Sequence, residues 1–245
     1  FSAAFRLFVT GGQTNTEPGG IRVTGADRAY IVAAFGTNYR LSSHVFTAPA
    51  AEKLAGNPDP YPMVQARLDA ASAMPYETLR ERHIADYGAL FGRVSLDLGE
   101  DMPNDTPTDA LLKKVQDGGE DRYLEALYFQ YGRYLLLSSA RPGTLPPHLQ
   151  GIWNRYDAPP WGSGYWHNIN IQMNYWPAFV TAIPETFAAY IDFAKAYRDA
   201  AERSADHYIG TLYPDRLSQK KGGNGWAIGT AAWPYVVEGI STGSH

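Results

Sequence analysis

Between residues 166 and 176 the chain reads WHNINIQMNYW, three asparagines and a glutamine threaded between aromatic residues. Carboxamides are neither useful acids nor useful bases at neutral pH, so this stretch is built for hydrogen bonding rather than for simple proton transfer. Planar amides beside aromatic faces suit a sugar, whose hydroxyls pair with the amides while its C–H side lies against a ring. Trp153, Trp161 and Trp166 each carry two readings of equal standing: a platform for a sugar or its aglycone, or a large core side chain. His167 either contacts a hydroxyl or is structural. Asn174 and Gln150 read as scaffold hydrogen bonders, and His83, on an apolar helical stripe, as a core histidine.

Composition narrows the chemistry. The 245 residues are 44% hydrophobic and 19% charged, which describes a globular chain large enough for one large domain or two small ones. A net charge of −4 without concentrated sign argues against a nucleic-acid surface and gives no polybasic membrane anchor. No apolar run approaches the roughly 20 residues needed to span a bilayer. Zero cysteines removes disulfides and thiolate chemistry, and the six histidines do not cluster as metal ligands. Gly222, Gly223 and Gly225 lack the spacing of a phosphate loop, so neither metal nor cofactor is implied. The chain opens at Phe1 with neither an initiator Met nor a visible leader, which leaves its compartment open, with secretion or a periplasmic location compatible.

The elements that must position the amide stretch change character along the chain. Phe5, Leu7 and Val9 alternate with Arg6 and Phe8, and AYIVAAFG (29–36) reads as a short buried strand. Residues 49–62 read as a connector. The period of Leu79, His83, Tyr87, Leu90 and Phe91 predicts a helix within 75–94, followed by a short strand or extended exit, VSLDLGED. Thr106-Pro107-Thr108-Asp109 starts a second helix that Gly118-Gly119 ends. Leu124, Leu127, Tyr128, Tyr131, Leu135 and Ser138 mark a third, and Phe187, Tyr190, Ile191, Ala194 and Ala201 a fourth that begins near Pro184. Between these last two, 143–183 reads as a long irregular, site-bearing stretch. The fold class is mainly α with an N-terminal β portion.

Three segments carry a family resemblance: HIADYGALFGRVSLDLG (83–99), GRYLLLSSARPGTLPPHLQGIWN (132–154) and PPWGSGYWHNINIQMNYWPA (159–178). In this order they resemble glycoside hydrolase family 95, inverting α-L-fucosidases that also include α-L-galactosidases. The resemblance implies the C-terminal part of a β-sandwich domain over 1–48, a connector with helix over 49–105, and the first part of an (α/α)6 toroid over 106–245. It also implies that Asn168 and Asn170 hold the attacking water. A polarised amide serves there as the near end of a base, the far end being an aspartate and the general acid a glutamate, both expected beyond His245. Trp153, Trp161, Trp166, His167 and Gln172 are the implied substrate-binding residues. Three departures stand out. Ile171-Gln172 occupies a place commonly Thr-Glu, Phe179 one commonly acidic, and Pro147-His148 one more usually Ala-Asn. The first two either alter which sugar is accepted or only reshape packing behind the loop.

The implied substrate is a terminal α-L-fucosyl residue on an oligosaccharide or glycoconjugate. An α-L-galactosidase and a non-catalytic carbohydrate-binding or structural protein remain as alternatives. Asp157, Glu185, Asp206 and Glu238 are the carboxylates near the motif or the chain end, and none is assigned as the acid; Glu185 reads as an acid complementing a helix start. Twelve toroid helices need roughly 200 residues before any site loop. The stretch 106–245 is therefore expected to hold half a ring at most, to leave apolar helix faces for the remainder of its own catalytic domain to cover, and to be inactive alone.

Overall fold

The computed structural model describes residues 1–99 and 105–240, which divide into two compact units. The first comprises Phe1–Arg40 and Leu54–Ala85. Strand β1 (Ser2–Thr10) pairs antiparallel with β4 (Arg28–Gly36) from Ser2 opposite Gly36 to Thr10 opposite Arg28; between them β2 (Gln13–Glu17) and β3 (Gly20–Thr24) form a hairpin. Helix α2 (Tyr61–Ser72) covers one face of the β1–β4 pair, where Val64 and Leu68 meet Ala4, Val32 and Ala34. Gly36 permits this approach, since a Cβ there would lie 2.8 Å from a Val64 methyl.

The 29–36 run was expected as a buried strand, and β4 is instead half-buried. Tyr30, Val32 and Ala34 turn inward, whereas Ile31 and Phe35 are exposed, with Phe35 set edge-on against the exposed Phe5 at 5.5 Å. The period of two dictates this alternation once only one face is covered. Helix α2 falls partly within the expected connector; it buries only Val64 and Leu68, so its apolar periodicity is faint. Helix α3 (Tyr76–Phe91) contributes its residues to Ala85 to this unit, and His83 is exposed on it rather than in a core.

The second unit comprises Leu41–Lys53 and the residues from Asp86 onward. It holds α1 (Ser43–Thr47), the end of α3, α4 (Thr108–Gln116), α5 (Arg122–Ser139), α6 (Asn170–Val180), α7 (Phe187–Leu212) and the small pair β5 (Ala232–Trp233) and β6 (Val236–Val237). Its spine is α7, whose buried Ala189, Phe193, Tyr197, Ala201 and Ala205 recur every four residues, with Ala196 beside them. Phe46 of α1 stands edge-on to Phe193 and Tyr197, and Ser43 donates to Asp199 at 2.6 Å. Residues 94–98 form neither helix nor strand, and the end of the expected exit, Glu100 and Asp101, lies outside the described residues. No helix among the described residues is long and apolar enough to cross a membrane.

Helix α5 corrects the expected stripe. Its buried side chains are Ala126, Arg133, Leu136, Leu137 and Ser139, while Tyr128 and Tyr131 are 80% and 53% exposed. The buried face contains Arg133, a charged side chain that periodicity assigns to solvent. Its guanidinium instead donates to the carbonyls of Leu90 (3.3 Å), Phe91 (2.8 Å) and Val94 (3.0 Å) and to Gln130 Oε1 (2.8 Å), and lies over the Phe91 ring. These carbonyls lie at and beyond the last turn of α3, where helical pairing runs out and only Leu90 has a local donor, Arg93 N–H at 3.4 Å. The long stretch 143–183 also differs from expectation, because α6 occupies 170–180, with Ile171, Tyr175 and Ala178 buried.

Replacing Arg133 with Met keeps the aliphatic stem but removes its three bonds to those carbonyls and leaves that of Phe91 without a partner among the described residues, while Leu90 keeps Arg93 N–H and Val94 keeps the Gln130 amide. The variant should lose roughly 3 kcal/mol of unfolding free energy in chemical denaturation. A loss below about 1 kcal/mol would show that Arg133 does not staple α5 to the end of α3.

Candidate active site

The amide stretch is pinned from a distant part of the chain. Tyr165 N–H donates to the Ala232 carbonyl at 2.7 Å, Ala232 N–H returns to Tyr165 at 3.2 Å, and His167 N–H donates to Thr230 at 2.7 Å. Residues 165–167 thus form a short ladder with 230–232. Before them Trp161, Gly162 and Ser163 all take positive φ (51°, 62° and 50°), a left-handed run that turns the chain sharply. The Trp233 indole N–H holds that turn through the Gly162 carbonyl at 3.1 Å. After the ladder, Ile169 adopts φ 140° and ψ −33°, and Asn170 begins α6.

A cleft of about 390 Å³ results, lined by Leu149, Trp161, Trp166, Asn168, Asn170 and Thr230. Four of the residues singled out from sequence, the two asparagines and two of the tryptophans, share it. Both asparagines are exposed, and neither carboxamide is engaged by another group among the described residues. Trp161 is 70% exposed, whereas Trp166 packs edge-on to Trp233 at 6.2 Å, its indole nitrogen buried and without a partner among the described residues.

The other three lie elsewhere. Trp153, half exposed, stacks on Tyr134 at 6.4 Å in a cavity of about 400 Å³ that also takes in Ser139, His148, Gln150 and Asn174. There Gln150 donates to the Pro160 carbonyl and Asn174 to the Pro147 carbonyl, both at 3.3 Å, as loop scaffolding. Gln172 borders a third, more apolar cavity of about 350 Å³ with Tyr175, Trp176, Phe179 and Phe187, and its amide donates to the His167 carbonyl at 2.6 Å. His167 points into the interior of the second unit, its ring 6.0 Å from Tyr190 and 5.9 Å from Tyr197. Neither of its nitrogens makes a well-formed hydrogen bond among the described residues, the Tyr165 backbone being a polar neighbour that favours the protonated ring. Burial holds this imidazole below the usual histidine range and pushes the neighbouring Tyr175 and Tyr197 phenols up.

Three of the carboxylates near the motif are committed to structure. Glu185 sits at the start of the turn into α7, where a backbone N–H, first, and then Arg93 at 2.9 Å hold its carboxyl below the ordinary value. Asp206 accepts from Asn224 at 2.7 Å, and Glu238 from Ala231 N–H at 3.1 Å. Among the described residues no group of three or more His, Asp or Glu could hold a metal ion. Leu149, Thr230 and Trp233 belong to the site but were not picked out from sequence. Only the aromatic character of Trp233 offered a signal, since the ladder that brings 230–233 to the motif spans about 65 positions and leaves no local pattern.

The comparisons with known proteins address what such a cleft belongs to. A profile of the glycosyl hydrolase family 95 catalytic domain matches residues 75–242, and the chain belongs to that family. "Alpha-L-fucosidase 2" of Arabidopsis thaliana is 33% identical over 250 residues, covering 96% of this chain and 28% of that protein. "Probable alpha-fucosidase A" of Aspergillus niger is 36% identical over 191 residues, 76% of this chain and 23% of its own length. Its namesake in Aspergillus oryzae is 38% identical over 141 residues, 55% and 19% respectively. The chain therefore spans about a fifth to just over a quarter of the curated relatives it matches.

The burial of His167 and His148 has a measurable consequence. Both imidazoles are held below the ordinary histidine value of 6.5, chiefly by burial, so as pH falls the unfolded chain takes up their protons first. The stability gained from keeping them neutral is present above pH 6.5 and is lost progressively below it. The melting temperature should fall between pH 7 and pH 5, and fall less in His167→Phe, which keeps a ring against Tyr190 and Tyr197 but cannot protonate. Parallel pH profiles for the two proteins would contradict this.

Proposed function

We propose that this chain carries the water-positioning half of the active site of an inverting exo-α-L-fucosidase. The observation that carries the reading is that Asn168 and Asn170 present uncommitted carboxamides to one cleft beside Trp161 and Trp166. An asparagine carbonyl accepts from a water while its NH2 donates to a carboxylate, so the pair can hold a nucleophilic water and relay the pull of a base. Trp161 is exposed enough to cover the apolar side of a sugar ring. The names of the relatives support fucose as the sugar.

Inversion needs two carboxyl groups ~6.5–9.5 Å apart with the water between one of them and the anomeric carbon. Glu185, Asp206 and Glu238 are engaged as described above. As the family resemblance implies, the general acid and the aspartate that polarises Asn170 are placed outside residues 1–245. In this reading α4 to α7 are the first part of an (α/α)6 toroid completed by that same outside sequence, from 106 onward, with 49–105 as connector. Residues 1–48 are the end of a β-sandwich, whose second sheet would cover the face that exposes Phe5, Ile31 and Phe35.

The test uses the full-length protein on synthetic α-L-fucosides and α-L-galactosides, with the first-formed product anomer followed by NMR. The expected outcome is preferential fucoside hydrolysis releasing β-L-fucose. Release of the α-anomer would remove the water-positioning role, preference for galactosides would replace the substrate, and binding without turnover would favour a non-catalytic carbohydrate-binding protein. Asn170→Ala should lower kcat by ~10² or more, the range general-base assistance supplies, and Asn168→Ala by less. Near-normal turnover in Asn170→Ala would exclude it from the mechanism.

A further inference from the structure

Ile169 is the backbone joint between the two asparagines, and it is strained. A β-branched residue at φ 140° sits where side-chain-bearing residues rarely go, and such a conformation persists only when its surroundings over-determine it. The surroundings can be named. Upstream, His167 N–H is tied to Thr230 at 2.7 Å; downstream, Met173 N–H donates back to the Ile169 carbonyl at 2.9 Å as α6 begins. Two bonds span the joint itself, Ile171 N–H to the Trp166 carbonyl at 3.0 Å and the Gln172 side-chain amide to the His167 carbonyl at 2.6 Å. The second is the shorter, and it is the only side-chain bond across the joint among the described residues. With it, both the N–H and the C=O of His167 are held, which fixes the peptide leading into Asn168.

We infer that Gln172 is a positioning residue: its amide clamps the His167 carbonyl, holds Ile169 in its twisted conformation, and so keeps Asn168 and Asn170 directed into one cleft. The inference rests on the water-positioning reading given above. Gln172 borders the cavity lined by Tyr175, Trp176, Phe179 and Phe187, and is not among the residues lining the asparagine cleft, so its effect passes through the backbone and not through contact with a sugar. Only a donor can make this bond. A methionine of similar length has no N–H to offer that carbonyl. Glycine at 169 would adopt the twisted conformation without penalty and would need the clamp less.

The experiment is a double-mutant cycle in the full-length protein with Gln172→Met and Ile169→Gly, assayed on an aryl α-L-fucoside, together with hydrogen exchange of the backbone over 166–173. Gln172→Met should lower kcat about tenfold with KM within twofold, and Gln172→Ala should act in the same direction. In the Ile169→Gly background the Gln172→Met loss should shrink to threefold or less, and exchange at 168–171 should quicken when Gln172 is replaced in the wild-type background. An equal loss in both backgrounds, unchanged exchange, or a rise in KM with kcat intact would overturn the clamp, the last because it is the mark of a lost sugar contact. If the wild-type protein hydrolyses no α-L-fucoside, the functional reading fails by itself. The exchange measurement then still decides whether Gln172 holds the joint.

Discussion

The geometry of the asparagine cleft depends on the backbone ladder between 165–167 and 230–232. Asparagine side chains are short, with two rotatable bonds, so their amides go where their Cα atoms go. Those positions are set by Tyr165 and His167 on one side and by Thr230 and Ala232 on the other. The ladder also makes Thr230 a wall of the cleft and brings Trp233 under the left-handed turn at 161–163, where its indole holds the Gly162 carbonyl. A site built of neutral hydrogen bonders gains little from long-range electrostatics, and its selectivity and activity follow from placement.

Behind the ladder lies an aromatic interior with more polar groups than partners for them. The Tyr175 hydroxyl and the Trp166 indole nitrogen are buried without hydrogen bonds among the described residues, and the Tyr197 hydroxyl and His167 ring make at most weak ones, to Tyr190 and the Tyr165 backbone. Each such group costs free energy unless something completes it. They cluster directly behind the cleft-lining residues and around α7, so the stability of the site loop and the protonation of its interior are linked. Burial holds the His167 imidazole below the usual histidine range, which favours its neutral form.

Much of this was legible in the sequence, for identifiable reasons. The long helices declared themselves through caps and breakers: Gly118 at positive φ closes α4, and Pro184 leads into α7. The amide and tryptophan chemistry of 161–170 was legible as chemistry because those residue types have few other common uses together. What failed was phase and depth. The buried face of α5 contains Arg133, and a pattern that counts only apolar residues rotates the helix away from it. Helix α6 was hidden because amides, aromatics and an internal Pro177 read as irregular chain, although Ile171, Tyr175 and Ala178 keep a helical period. The grouping of Trp153, Trp161 and Trp166 as one set also dissolves, since Trp153 stacks on Tyr134 in another cavity; adjacency in sequence does not encode which side of Leu149 a ring falls on. Thr230 was out of reach, since the contact that gives it meaning is non-local.

The central claim is that a sugar binds where Asn168 and Asn170 meet Trp161 and Trp166, with a water held by the two amides. The most direct measurement is a crystal structure of the full-length protein with a fucose-configured iminosugar bound. The account predicts the ring against Trp161, its anomeric position facing an ordered water that lies within hydrogen-bond distance of both carboxamides. A ligand seated instead in the cavity of His148 and Trp153, or a cleft in which the two amides turn away from each other and hold no common water, would contradict it.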